Sequence, residues 1–437
     1  MTAYSSFIRI LEVMIMRFKK DGRSCLLLCL SFGLVLAVSP GSVEAKNKKE
    51  KKAAKQHSTV QELEKRDLSS AQLETIRADY TKVVAEERNG MMNTALRRLE
   101  REYKAYKATG TPFVRDILII SGGGSKGAFG SGFLQGWESV KGPTALPVFD
   151  VVSGVSTGAL IAPFAFVGTE EAYTSIVDFY ANPDKNWVHK RGMLYIKPSH
   201  VSLYNDDMLQ EMIRTRIDEA LVEAVAEGAA EDRLLQIGAT NLDLGIGRIF
   251  DLGHAATEAV SSGSRDRIHS ILLASSAIPA VFPPVVVDDL WYGDGGATAN
   301  LTLFTSPGFN ATWRALHPEA PMPKYRIWIV INQQVRPEPA VTMPSWVSVA
   351  GRGLDTMTQS LQLFGMHLLH KIVEDYQAAG MDIEFRWVAI PEDAPKSPDS
   401  KNMFDKDYML ALEKLGRKMG ADPSVWKTEV PLVYSFD

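Results

Sequence analysis

Cysteine is nearly absent from this 437-residue chain, which has two, Cys25 and Cys29. Both sit in one apolar stretch near the N-terminus, so the rest of the chain forms no disulfide and offers no thiol for chemistry. Long apolar runs are also missing. The stretch Cys25–Val38 holds fourteen residues, short of the ~20 that a spanning helix needs. There is no basic excess: 48 Lys and Arg stand against 52 Asp and Glu, a net charge of −4, which argues against a nucleic-acid partner. Histidines number eight, and no Cys/His cluster has ligand spacing, so neither a metal nor an organic cofactor is implied.

The chain's first 45 residues have the layout of a secretory signal peptide. Arg17, Lys19, Lys20 and Arg23 precede the apolar run, Pro40 breaks it, and Val43-Glu-Ala45 supplies small residues for cleavage. Export to a bacterial periplasm or the exterior is expected, with the mature chain starting after Ala45. Cleavage there removes five basic and three acidic residues, taking the net charge from −4 to −6. Mass spectrometry of the mature N-terminus checks this; a chain retaining Leu26–Val38 would instead be anchored.

Residues 46–112 read as an extension. Lys46–Gln56 carries six lysines and one glutamate, a solvated linker that could also touch an anionic membrane. Ser69 and Gln72 resemble a capping box. Leu73, Ile76, Tyr80 and Val83 share a helical face, and a second amphipathic run covers Met91–Tyr106. Gly110-Thr-Pro112 ends the helical region.

Strands and helices alternate from residue 113 to about 420, with 421–437 read as a tail. Ile117–Ile120, Val148–Val152, Leu235–Ala239, Tyr325–Ile331 and Glu384–Ile390 suit buried strands. Asp206–Glu227, Ser348–Ala379 and Asp405–Met419 suit helices. The alternation predicts an α/β fold, a three-layer sandwich around a mostly parallel sheet.

Three loops carry chemistry. The strand ending at Ile120 runs into Gly122-Gly123-Gly124-Ser125-Lys126-Gly127, whose backbone N–H groups at a helix start suit an anion. Formally this is G-x-G-x-x-G, the pyrophosphate cradle of a nucleotide-binding unit. That reading wants an acid after the second strand, where this chain has Gly154-Val-Ser156-Thr-Gly158 instead. Strand, G-x-S-x-G turn and the helix Ala159–Val167 are the setting of a nucleophile elbow. The third loop, Tyr292-Gly-Asp294-Gly-Gly296, brings a carboxylate among small residues, where it could act as general base on serine. An α/β-hydrolase triad would instead need His317, His367 or His370 near Ser156, and none of the three has motif context.

Together these motifs resemble the patatin-like phospholipase family, serine acyl hydrolases with a Ser–Asp dyad. Ala274-Ser-Ser-Ala-Ile-Pro279 through Pro284 and Ile237-Gly-Ala-Thr240-Asn-Leu-Asp243 extend the likeness over about 116–303. The resemblance implies that Ser156 is the nucleophile and Asp294 the base. It also implies an oxyanion hole in the loop Gly122–Gly127, centred on the amides of Gly123, Gly124 and Ser125, with Lys126 adding positive potential or pairing with a carboxylate. Gly154 and Gly158 would shape the elbow. The implied substrate is a lipid or lysolipid ester, with peripheral membrane contact left open and no nucleic acid. Two departures stand out: Asn300-Leu-Thr replaces the family's Asn-x-Pro, and Glu170–Leu234 is a long insertion. Within it, Trp187–Lys197 mixes aromatic and basic residues, suiting a cap or a lipid-facing patch. Met357, Leu361, Phe364 and Met366 read as core, or as the lining of an acyl pocket. A nucleotide-binding module and a catalytically silent relative are the competing functions.

Overall fold

The computed structural model describes residues 68–181, 189–190, 201–202, 204–306, 308–396 and 404–431. The signal segment, the lysine-rich tail and most of Trp187–Lys197 lie outside these. Ser69 opens the first helix with the expected capping box: its side chain accepts from the Gln72 N–H, and the Gln72 side chain returns to the Ser69 N–H. Helix α1 (Ser70–Thr109) then runs unbroken for 40 residues to Gly110, which closes it in the left-handed conformation. The two runs expected from sequence are therefore one helix. Its buried face uses Tyr80, Met91 and Leu99, with Val84 rather than Val83, which is solvent-exposed.

Ion pairs fix α1 to the lower edge of the sheet. Arg97 and Arg101 hold Asp232 at 2.8 and 2.7 Å, and Arg98 reaches Asp150 at 2.9 Å. Asp150 also accepts from the backbone N–H of Asp116 at 2.9 Å. These bonds decide where the second strand starts. Sequence placed it at Val148–Val152, but Val148 is exposed and the strand begins only after Asp150.

In chain order the elements are β1 (Val114–Ile120), α2 (Gly127–Trp137), β2 (Val151–Val155), α3 (Thr157–Val167), α4 (Glu170–Ala181), β3 (His189–Lys190) and β4 (Tyr204–Asn205). Next come α5 (Asp207–Arg216), α6 (Glu219–Ala230), β5 (Leu234–Asn241), β6 (Ile246–Asp251), α7 (Leu252–Ser262), α8 (Asp266–Ser276), β7 (Val285–Val287) and β8 (Leu290–Asp294). The last are α9 (Phe309–Leu316), β9 (Lys324–Ile331), α10 (Trp346–Ala378), β10 (Ile383–Ala389) and α11 (Lys406–Gly420). The helix expected over Asp206–Glu227 is two, because Asp218 caps a new start by accepting from the Leu221 N–H at 2.9 Å.

The sheet order is β10-β9-β1-β2-β5-β8-β7, with β6 also paired to β5. From β10 to β5 the neighbours are parallel; β6, β7 and β8 add antiparallel pairs. This is the mixed α/β, mostly parallel fold read from the alternation. Leu118, Ile120, Val152, Leu235 and Ile237 face one helical layer with Phe129, Phe133 and Phe164. Ile119, Ile327 and Ile329 face the other, against Met366 and Val373 of α10. The chain after Gly420 returns to the core, where Trp426 packs on Trp137 and Trp328 with ring centroids 4.7 and 5.0 Å apart.

Candidate active site

Register brings the three loops together. Ile120 lies beside Gly154, Val155 beside Gly238, and Ala239 beside Asp294. The ends of β1, β2 and β8 therefore meet at the carboxyl edge of the parallel strands, where open α/β sheets place their sites.

Ser156 joins β2 to α3 with φ 55° and ψ −125°, a conformation that non-glycine residues rarely adopt. Such strain costs of order 1–3 kcal/mol and persists only where its surroundings enforce it. Here the Ser156 N–H donates to Ser275 Oγ at 2.9 Å, and Ser275 Oγ donates to the Gly238 carbonyl at 2.6 Å. The flanking glycines are needed for packing. A side chain on Gly158 would strike the Ile120 and Ser121 carbonyls, and one on Gly154 would strike the Gly158 carbonyl. The G-x-S-x-G spacing thus records two backbone contacts.

Asp294 ends β8 and is almost completely buried. Its Oδ1 accepts from the Gly296 N–H at 2.7 Å, and the Ser156 side chain donates to the same carboxylate. Burial pushes its pKa up from 3.8 to about 6, against the pull of those two donors. The pair is therefore a hydroxyl hydrogen-bonded to a basic carboxylate. Each of the three histidines of the triad alternative is engaged elsewhere: His317 Nε2 lies 3.4 Å from Glu100, His367 Nε2 2.8 Å from the Pro431 carbonyl, and His370 Nδ1 3.6 Å from Glu374.

The glycine loop narrows to fewer donors than its sequence offers. The Gly122 N–H is taken by Asn300 Oδ1 at 3.1 Å, the Lys126 N–H by the Gly123 carbonyl, and the Gly127 N–H by the carbonyls of Gly124 and Ser125. Among the described residues the amides of Gly123, Gly124 and Ser125 have no partner. Gly123 is forced by space, since a side chain there would collide with the Asn332 backbone. Asn332 in turn clamps the loop, donating from N to Ser121 Oγ at 2.9 Å and from Nδ2 to the Ser121 carbonyl at 2.8 Å. Burial lowers the pKa of Lys126, while Asp355 and Glu338 pull it back.

Asn300 was legible only as a departure from the family pattern, yet it has a buried structural task. Its Oδ1 holds Gly122 and its Nδ2 donates to Gln362 Oε1 of α10 at 2.9 Å. We expect Asn300→Ala to lower kcat about 10- to 100-fold by loosening the loop, with less effect on KM. Ester kinetics on the variant check this; an unchanged kcat would mean the loop holds itself. Ser275 was also missed as a separate signal, although it lies inside the quoted Ala274–Pro284 segment.

The serine is less open than an elbow suggests. Ser156 is 6% exposed and borders a crevice of about 40 Å³ walled by Leu160, Phe179, Tyr180, Leu209, Phe282 and Phe404. Helix α4, α5 and the chain near Phe404 cover it, so an acyl chain can enter only if these walls shift.

Residues 118–305 match the model of the patatin-like phospholipase family. The matched segment is similar to a patatin-like phospholipase domain. It spans the glycine loop, the elbow, Asp294 and Asn300. Among solved structures, VipD from Legionella pneumophila is similar at 12% identity and a TM-score of 0.28, over 70% of this chain and 67% of that one. The type III effector protein ExoU is similar at 13% identity and a TM-score of 0.27, over 71% of this chain. This chain spans about half the length of ExoU (54%). No curated protein matches the sequence.

Proposed function

We propose that the protein is an exported lipid acyl hydrolase that cleaves carboxylic esters of phospholipids or lysophospholipids. The observation that carries this reading is the strained Ser156 bonded to a buried Asp294 whose pKa is raised to about 6. Asp294 takes the Ser156 proton as Oγ attacks the ester carbonyl. The carbonyl oxygen becomes an oxyanion facing the amides of Gly123, Gly124 and Ser125, which act mainly in the transition state. As the tetrahedral intermediate collapses, protonated Asp294 gives its proton to the departing alcohol or lysolipid. Water, deprotonated by the same carboxylate, then attacks the acyl-enzyme and regenerates Ser156.

The crevice beside Ser156 is apolar, and once its walls shift to admit an acyl chain their aromatic rings would exclude water from the intermediate. No described helix is long and apolar enough to cross a membrane. Profiling the acids released from a panel of phospholipids, lysophospholipids and neutral lipids tests the reading. Release of fatty acid by the wild type supports it; no release from any ester, with nucleotide-dependent melting instead, would favour the phosphate-cradle alternative.

A further inference from the structure

A large cavity among the described residues lies away from the serine. It holds about 510 Å³ and shares no lining residue with the Ser156 crevice. Interiors are packed nearly as densely as organic crystals, and a space of this size is large enough to hold a ligand. Its floor is one face of the sheet, from Leu234 on β5 across Val151 and Ile117 to Ile327 and Ile383 on β10. Four strand spacings of about 4.8 Å make it roughly 19 Å long. Met91, Met92 and Ala95 of α1 wall one side, and Leu361, Phe364 and Leu368 of α10 the other. The buried Asn300–Gln362 pair, flanked by the lining residues Leu301 and Leu361, stands between it and the glycine loop.

We propose that this cavity is a second lipid site that takes the single chain of a long-chain fatty acid. The lining is mostly apolar, as one extended chain requires, with Arg115, Gln236 and Asn310 among its polar members. Phe364 and Leu368 are 48% and 63% exposed at its mouth, and they continue an exposed apolar stripe on α10 through Met357, Val349 and Trp346. A chain could therefore enter from a lipid surface without crossing water. Charge identifies the head group. Exposed Arg88 of α1 lies over the ring of Phe304, 5.4 Å from its centroid, and among the described residues it has no ion pair. Phe304 is tied to the β5 end of the cavity by its N–H, which donates to Gln236 Oε1 at 2.9 Å. Thr305 and Ser306 add hydroxyls to the same rim. A carboxylate there meets one cation and two donors while the tail runs toward β10. The hydrolase reading would supply such an acid as product, and the proposal rests on that reading only for the ligand's source.

The test uses the full chain carrying Ser156→Ala, so turnover plays no part. A fluorescent long-chain fatty acid is expected to bind saturably and to be displaced by oleate. Ala95→Trp, which fills the cavity, and Leu368→Glu, which charges its mouth, should each weaken oleate at least about tenfold. Leu368 is exposed enough that its variant folds even if Ala95→Trp does not. Arg88→Glu should weaken oleate about tenfold, the scale of one charge-assisted hydrogen bond, and leave methyl oleate unchanged. Absence of saturable binding, or oleate binding that survives Leu368→Glu and Arg88→Glu in cooperatively melting protein, would overturn the proposal. Either result leaves ester hydrolysis by the wild type untouched, so the two readings fail separately.

Discussion

Ser156→Ala should abolish ester hydrolysis and labelling by a fluorophosphonate. Removing a serine nucleophile costs on the order of 10⁴–10⁶ in turnover, and only binding and oxyanion contacts remain. The melting temperature should move by no more than a few degrees. Alanine leaves no cavity of consequence, and the elbow conformation is imposed by Ser275 and by backbone contacts at Gly154 and Gly158. Two assays on one variant suffice: activity-based labelling and thermal melting. Labelling that persists in the variant would place the nucleophile at another serine and remove the basis of the hydrolase reading.

Asp294→Asn should lose at least ~10² in turnover, the lower range for losing a general base, and should gain stability at the same time. The sign follows from the raised pKa. A carboxyl lifted from 3.8 to about 6 binds its proton more tightly in the folded protein than in the unfolded chain. The stability it contributes is full below about pH 3.8 and is lost as pH rises through about 6. At neutral pH the ionised group therefore costs about 3 kcal/mol, at 1.36 kcal/mol for each pKa unit. Asparagine carries no charge and can still accept from the Gly296 N–H. Its stability advantage should appear at pH 7 and vanish near pH 4, as denaturant unfolding at both values would show. In the wild type, kcat/KM should rise through about pH 6 as the base loses its proton. An asparagine variant that is both inactive and less stable at pH 7 would mean the carboxylate is a structural anchor. Substituting His317, His367 or His370 by Gln should cost far less than Asp294→Asn.

Local patterns carried much of this site. A strand, a glycine-flanked serine and a helix are contiguous in the chain, so Gly154-Val-Ser156-Thr-Gly158 announces its own turn. The same holds for the glycine loop, for the Asp294 turn, and for α1, whose capping box is spelled by residues three apart. The start of β2 escaped because Asp150 is recruited by Arg98 from a helix 52 residues earlier. Asn300 escaped for a similar reason: its partners, Gly122 and Gln362, lie 178 and 62 residues away. Met357, Leu361, Phe364 and Met366 show the limit of periodicity. Met366 is core, Leu361 and Phe364 line the large cavity, and Met357 faces solvent.

The sequence by itself determined the alternation that makes an α/β sheet, the candidate serine and carboxylate, and the glycines that let backbones touch. Those are properties of a few adjacent residues and of the conformations they permit. Only the tertiary structure decided that the amides of Gly123, Gly124 and Ser125 stay unpaired, while Asn300 and the loop's own carbonyls claim those of Gly122, Lys126 and Gly127. It also set the pKa of Asp294, since burial is a property of everything packed around the group. And it alone placed a large apolar cavity under α1 and α10, away from Ser156, because a cavity is what several distant elements fail to fill.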